Sequence, residues 1–156
     1  MAHSYSRAGN GAWSALEKSK DADFAAPAII CDTFAVELLL KFFIAADHPD
    51  CSTYRALEKK GVKLRSHTFT ELYGRVSIPQ QELIAAQYSA LMGSTVSVPG
   101  FRDALAELGA EPFVYWRYVY EKAGESHLDP RHLSRVLDAL GKAAELTLQA
   151  SGSSPA

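Results

Sequence analysis

The run Ala25-Ala26-Pro27-Ala28-Ile29-Ile30-Cys31-Asp32-Thr33-Phe34-Ala35-Val36-Glu37-Leu38-Leu39-Leu40-Lys41-Phe42-Phe43-Ile44-Ala45-Ala46 decides the fold. Its apolar residues (Ile29, Ile30, Phe34, Val36, Leu38, Leu39, Leu40, Phe42, Phe43 and Ile44) recur too densely for one stripe and cover nearly every side of a helix. A helix apolar all round belongs at the centre of a packed domain, contacted from several directions. Pro27 falls in the first turn, where a missing N–H costs little. At 1.5 Å per residue the helix is about 33 Å long and sets the height of the domain. Asp32, Glu37 and Lys41 stand inside the run, and three ionisable groups at mid-span are costly in lipid. The run therefore predicts the central helix of a helical bundle and not a membrane span.

Helical periodicity continues on either side. Residues 12–19 predict a short first helix, and Asp47-His48-Pro49-Asp50 ends the central one with turn chemistry. Thr53 to Lys60 reads as a short helix closed by Gly61, and His67 to Val76 as another. Ser77-Ile78-Pro79 starts a helix that continues to about Met92. Gly93 to Gly100 is a connection, and Phe101 to Leu108 is helical with Phe101, Leu105 and Leu108 on one face. Glu111-Pro112 opens a helix from Phe113 to about Lys122. Asp129 is placed to cap the last helix, with Pro130 at its first position. Leu133, Val136, Leu137, Leu140, Ala144 and Leu148 form the stripe of that helix. No segment shows the sustained alternation of a strand. The expectation is an all-α, antiparallel up-and-down bundle of four main helices with short additional helices.

The chain has 156 residues, 47% hydrophobic and 22% charged, with a formal net charge of -2. That fits one globular domain and argues against nucleic-acid binding over the whole surface, while leaving room for a local basic patch. Residues 1–10 are polar and lack the apolar region of a signal peptide, so a flexible N-terminus is expected. The domain proper is placed at 11–150, with a flexible tail at 151–156. Cys31 and Cys51 make no disulfide framework, and a reducing cytoplasm is the natural location. His48-Pro49-Asp50-Cys51 has no second ligand cluster at matching spacing, so neither a metal nor another cofactor is expected. There is no P-loop, dinucleotide fingerprint or nucleophile elbow.

Three places put polar groups where burial is expected. Glu37 and Lys41 are spaced i, i+4 in the favourable order, either as a structural pair or as part of a site. Arg65-Ser66-His67-Thr68-Phe69-Thr70-Glu71-Leu72 lies at a loop-to-helix junction and follows the basic stretch containing Lys59, Lys60 and Lys63. His67 is a candidate acid or base, or else a satisfied structural residue. In Phe113-Val114-Tyr115-Trp116-Arg117-Tyr118-Val119-Tyr120-Glu121, aromatics surround Arg117, which is i, i+4 to Glu121. That is core packing around an ionic contact, or a surface that stacks bases and holds phosphate.

Glu37-Leu38-x-x-Lys41 on an apolar helix, a loop, then His67-x4-Leu72 and the later Trp116-Arg117-Tyr118-x-Tyr120-Glu121 resemble the HEPN superfamily, over roughly residues 12–148. The resemblance implies a four-helix bundle, commonly a homodimer. Family members include metal-independent endoribonucleases of toxin–antitoxin, abortive-infection and CRISPR systems, as well as nucleotide-binding and assembly modules. In the nucleases an R-x4–6-H motif from each protomer meets at the dimer interface, and a ribose 2′-OH attacks the adjacent phosphate with His and Arg assisting. Here nine residues separate Arg117 from His127, eleven separate Arg55 from His67, and none separate Arg131 from His132. The motif is absent.

The expectation is a non-catalytic HEPN-like domain, dimeric, that binds a nucleotide, RNA or protein partner in stress or defence, with no membrane partner. Its ligand-binding candidates are Glu37, Lys41, Lys63, Arg65, His67, Arg117, Tyr118 and Glu121. One rival is a divergent metal-independent endoribonuclease using His67 and Arg117 as its catalytic pair; another is a purely structural dimeric adaptor.

Overall fold

In a computed structural model of the chain, residues 1–117 and 128–152 are described, apart from the side chains of Ala22 and Arg117. Among them every regular element is helical: α1 (Ala2–Ser19), a 3-10 turn (Ala22–Phe24), α2 (Ala25–Ala46), α3 (Tyr54–Lys59), α4 (Phe69–Tyr73), α5 (Ile78–Met92), α6 (Val98–Glu107), α7 (Pro112–Arg117) and α8 (Pro130–Gly152). The protein is an all-α helical bundle.

α2 is central, as its all-round apolar surface predicts. It packs against α1, α4, α7 and α8, while α5 joins α8 and α6. Ala35, Val36, Leu40 and Phe43 are fully buried, and so are Phe69 and Leu72 of α4, Ile84 of α5, Phe101 and Leu105 of α6, and Leu133, Val136 and Leu140 of α8. Small residues let the helices approach: Ala28 and Ala35 of α2, and Ala139 and Ala143 of α8, have no exposed surface.

The helix ends follow local chemistry. Thr53 caps α3 by accepting from Ala56 N, and Asp129 Oδ1 accepts from Arg131 N at the start of α8. Ser77 lies at the N-cap of α5, but its side chain makes no capping bond into the helix. It is instead clamped by Asp47 at the end of α2, which accepts from Ser77 N at 2.8 Å and from Ser77 Oγ at 2.6 Å. Gln81 is buried and ties off the end of α4, with Nε2 donating to the carbonyls of Tyr73 and Val76.

Several sequence expectations need correction. The first helix starts at Ala2 and not at residue 12, so residues 2–10 are helical. Tyr5, Gly9 and Trp13 recur at four-residue spacing, and Tyr5 and Trp13 reach partners on α2. α6 starts at Val98, where Ser97 caps Gly100 N and Pro99 sits in the first turn, so part of the expected connection is helix. α4 starts at Phe69, which leaves His67 in the preceding loop. On α8 the apolar stripe stops short of Leu148, which is 59% exposed, and Thr147 is buried in its place, donating to Gln80 at 2.9 Å. The final helix runs through Gly152, two residues into the expected tail; residues 153–156 and the expected helix beyond Arg117 lie outside the described residues. Among the described residues no helix is long and apolar enough to cross a membrane.

Candidate functional site

Glu37 lies mid-way along α2 with 1% of its surface exposed. A carboxylate buried this deeply is tolerable only when both oxygens are satisfied, and here they are. Oε1 accepts from Lys41 Nζ at 2.6 Å, one turn on, and Oε2 accepts from His67 Nδ1 at 3.0 Å, across from the loop. Since a carboxylate only accepts, the second bond places a proton on Nδ1. Lys41 keeps 24% and His67 52% of its side chain exposed, so both heads reach the surface while their anchor stays buried. Among the described residues no hydrogen bond engages His67 Nε2. In the neutral ring that nitrogen carries the lone pair; in the protonated ring it is a second donor.

Lys41 and His67 line one open groove of about 720 Å³ with Tyr54, Leu64, Arg65, Ser66, Thr68, Glu71 and Glu111. Its rim is bonded together. Arg65 donates through Nε to Tyr54 OH at 3.3 Å and through Nη2 to Glu58 at 2.9 Å, and Ser66 Oγ donates to Glu71 at 3.0 Å while accepting from Thr68 N. The phenol of Tyr54 and the carboxylate of Glu58 hold the Arg65 guanidinium firmly in its charged form. Beneath His67 the ring of Phe113 lies 6.4 Å away, centroid to centroid, and stacks at 4.6 Å on Phe34 of α2.

The structure thus brings Glu37, Lys41, His67 and Arg65 together. Lys63 falls elsewhere: it lines a neighbouring hollow with His48 and Arg75. Arg75 donates to the Lys63 carbonyl at 2.9 Å and so fixes the strip of chain between the two depressions. Arg117 ends α7, and its side chain, with Tyr118, Glu121 and His127, lies outside the described residues. Sequence reasoning missed Tyr54 and Glu111 as groove residues; Ser66 and Glu71 fall in the stretch singled out around His67 without being named as binding candidates. Glu71 carried a further signal, being i, i+4 to Arg75, which it meets at 3.4 Å.

A second buried carboxylate, Asp32, lies between α1 and α2. Trp13 Nε1 donates to its Oδ2 at 2.7 Å, while Oδ1 is buried with no partner among the described residues. Burial pushes its pKa up from the usual carboxylate range to about 6, opposed by the Trp13 bond and reinforced by the charge of Asp138. Among the described residues no group of three His, Cys, Asp or Glu side chains is arranged to hold a metal ion, and Cys31 and Cys51 are free thiols. No family model, curated protein or solved structure matches the chain.

Proposed function

We propose that the protein is a HEPN-like module, homodimeric and active in a stress or defence setting, that binds a phosphate-bearing ligand, nucleotide or RNA, in the groove of Lys41, Arg65 and His67. The observation that carries this reading is the double use of Glu37: one buried carboxylate orients an ammonium and an imidazole towards the same open groove. A preset ammonium of this kind suits an anion, because little side-chain freedom remains to be lost on binding, and the imidazole adds a second donor in its protonated form. The surrounding sequence agrees, since Tyr54 to Arg75 contains six Lys or Arg against two carboxylates. Glu71 and Glu111 on the same rim disfavour indiscriminate binding of polyanions and favour a ligand that also presents donors, as a nucleobase or ribose does.

The Glu37–His67 bond also favours a second reading. An imidazole held by a carboxylate at Nδ1 presents Nε2 as a base to a ribose hydroxyl, with Lys41 or Arg65 placed to stabilise phosphate charge. One experiment separates the two. Mixed cellular RNA is incubated with the protein, with and without EDTA, beside His67→Ala and Arg65→Ala, and binding of a labelled oligoribonucleotide is followed in parallel. The binding module retains the oligomer without cutting it and loses affinity in both variants. EDTA-resistant cleavage that vanishes in His67→Ala establishes the ribonuclease. Neither binding nor cleavage removes both readings and leaves a structural adaptor.

A further inference from the structure

α1 is poorly suited to stand alone as a helix. Gly9-Asn10-Gly11 sits at its middle, and it packs on α2 and the adjoining 3-10 turn. What holds it is one stripe: Tyr5 meets Phe34 edge-on with centroids 4.5 Å apart, Trp13 donates to Asp32, and Gly9 lies between them. A Cβ on Gly9 would stand 2.0 Å from Asp32 Oδ1, so the absent side chain is what lets α1 close over that carboxylate. Closure strips water from Oδ1 and supplies no donor in exchange. A neutral carboxyl tolerates that position far better than an anion does.

The first turn of α1 also walls a second groove. Met1, Ala2, His3 and Ser6 face Leu38, Leu39 and Phe42 of α2 and Leu137 and Leu148 of α8 across about 490 Å³. We propose that α1 is a proton-controlled cover: with Asp32 protonated it stays docked on α2, and with Asp32 ionised it lifts, widening the apolar groove between α2 and α8.

Few groups act on Asp32, and of the three only Cys31 and Asp138 are ionisable. Trp13 is its partner from α1, Cys31 neighbours it on α2, and Asp138 faces it from α8. Asp138 is an anion, so it too opposes ionisation of Asp32. The carboxyl titrates near pH 6 when α1 is docked and near its ordinary 3.8 when α1 is lifted and Asp32 is hydrated. Because the docked value is the higher one, docking is fully favoured in acid and weakens as pH rises through about 6.

Hydrogen exchange of the α1 amides in the full chain, corrected for the intrinsic rate at each pH, reads the opening directly. Between pH 4 and pH 8 the opening equilibrium rises through a midpoint near 6 towards a limit of roughly 100-fold, while the α5 amides hold steady. Asp32→Asn keeps an oxygen for Trp13 Nε1 but carries no charge, and its profile is flat. His3 stands 3.9 Å from Glu145 at the α1–α8 edge, and histidines as a class change charge in this range, so His3→Gln is the control and keeps the rise. A flat wild-type profile, or an Asp32→Asn profile as steep as wild type, overturns the proposal, as does a rise lost in His3→Gln. Should Asp32→Asn fail to fold, Trp13→Phe removes the one donor and shifts the midpoint upward; an unmoved midpoint overturns the proposal equally.

Discussion

Removing Glu37 and removing Lys41 are unequal changes, although both break the same 2.6 Å ion pair. Without the carboxylate, Lys41 and His67 still reach water through their exposed portions, and Glu37→Gln retains an acceptor for Nδ1. Without the ammonium, a carboxylate with 1% exposure keeps a single partner. Leaving an incompletely compensated charge buried costs about 3–5 kcal/mol, against about 1–2 kcal/mol for a weakened hydrogen bond. Urea unfolding at pH 7 is therefore expected to rank Lys41→Met as much the more destabilised variant. Equal destabilisation would mean that water reaches Glu37. The pair itself is visible from its i, i+4 spacing, and His67 from its position after a basic loop. That they share one carboxylate is not visible, because Glu37 and His67 lie thirty residues apart and no local pattern records the docking of the loop on α2. Asp32 is legible only as a charge that argues against a membrane span, since its partner Trp13 comes from a different helix.

At the scale of the element, α1 shows where propensity misleads. Two glycines and an asparagine at residues 9–11 read as a terminus without structure, because each mid-helix glycine costs about 1 kcal/mol relative to alanine. Gly9 offsets that cost by permitting the approach of Asp32, whereas Gly11 has nothing within 4 Å of its would-be Cβ. Alanine should therefore have opposite effects two residues apart. Gly11→Ala is expected to stabilise by about 0.5–1 kcal/mol through propensity alone. In Gly9→Ala the same gain is overwhelmed by the clash, for a net destabilisation of about 1–3 kcal/mol, the usual range for overpacking. Thermal unfolding followed by circular dichroism tests both, and a stabilised Gly9→Ala would show that α1 does not sit against Asp32. By contrast α2 and α5 are readable, to within a residue or two, from apolar density and turn chemistry. Local cues place α3 closely too, where Thr53 caps it and Gly61, at a φ of 77°, follows its end.

Across the whole molecule, charge is distributed more unevenly than the net value of -2 suggests. Tyr54 to Arg75 carries a net +4, so the remaining residues carry a net -6. The basic stretch wraps the two depressions that hold Arg65 and His67 on one side and Lys63 and Arg75 on the other. At physiological salt the screening length is about 8 Å, so a phosphate chain at this face is governed by the local cations and only weakly repelled by the acidic remainder. A protein of net negative charge is then expected to be retained on a heparin column at low salt and to elute early. Reversing Lys63 to Glu should lower the eluting salt. In solution it should reduce the slope of log K against log salt by about one for each phosphate that is no longer neutralised. Lys142→Glu, on α8 and remote from the basic stretch in sequence, alters the net charge by the same amount and should leave that slope unchanged. If both substitutions move elution equally, net charge governs retention and the basic stretch has no special role. If only Lys63→Glu moves it, the basic stretch is an anion-binding surface that extends beyond the Arg65–His67 groove into the neighbouring hollow, in a chain whose overall charge would keep phosphate away.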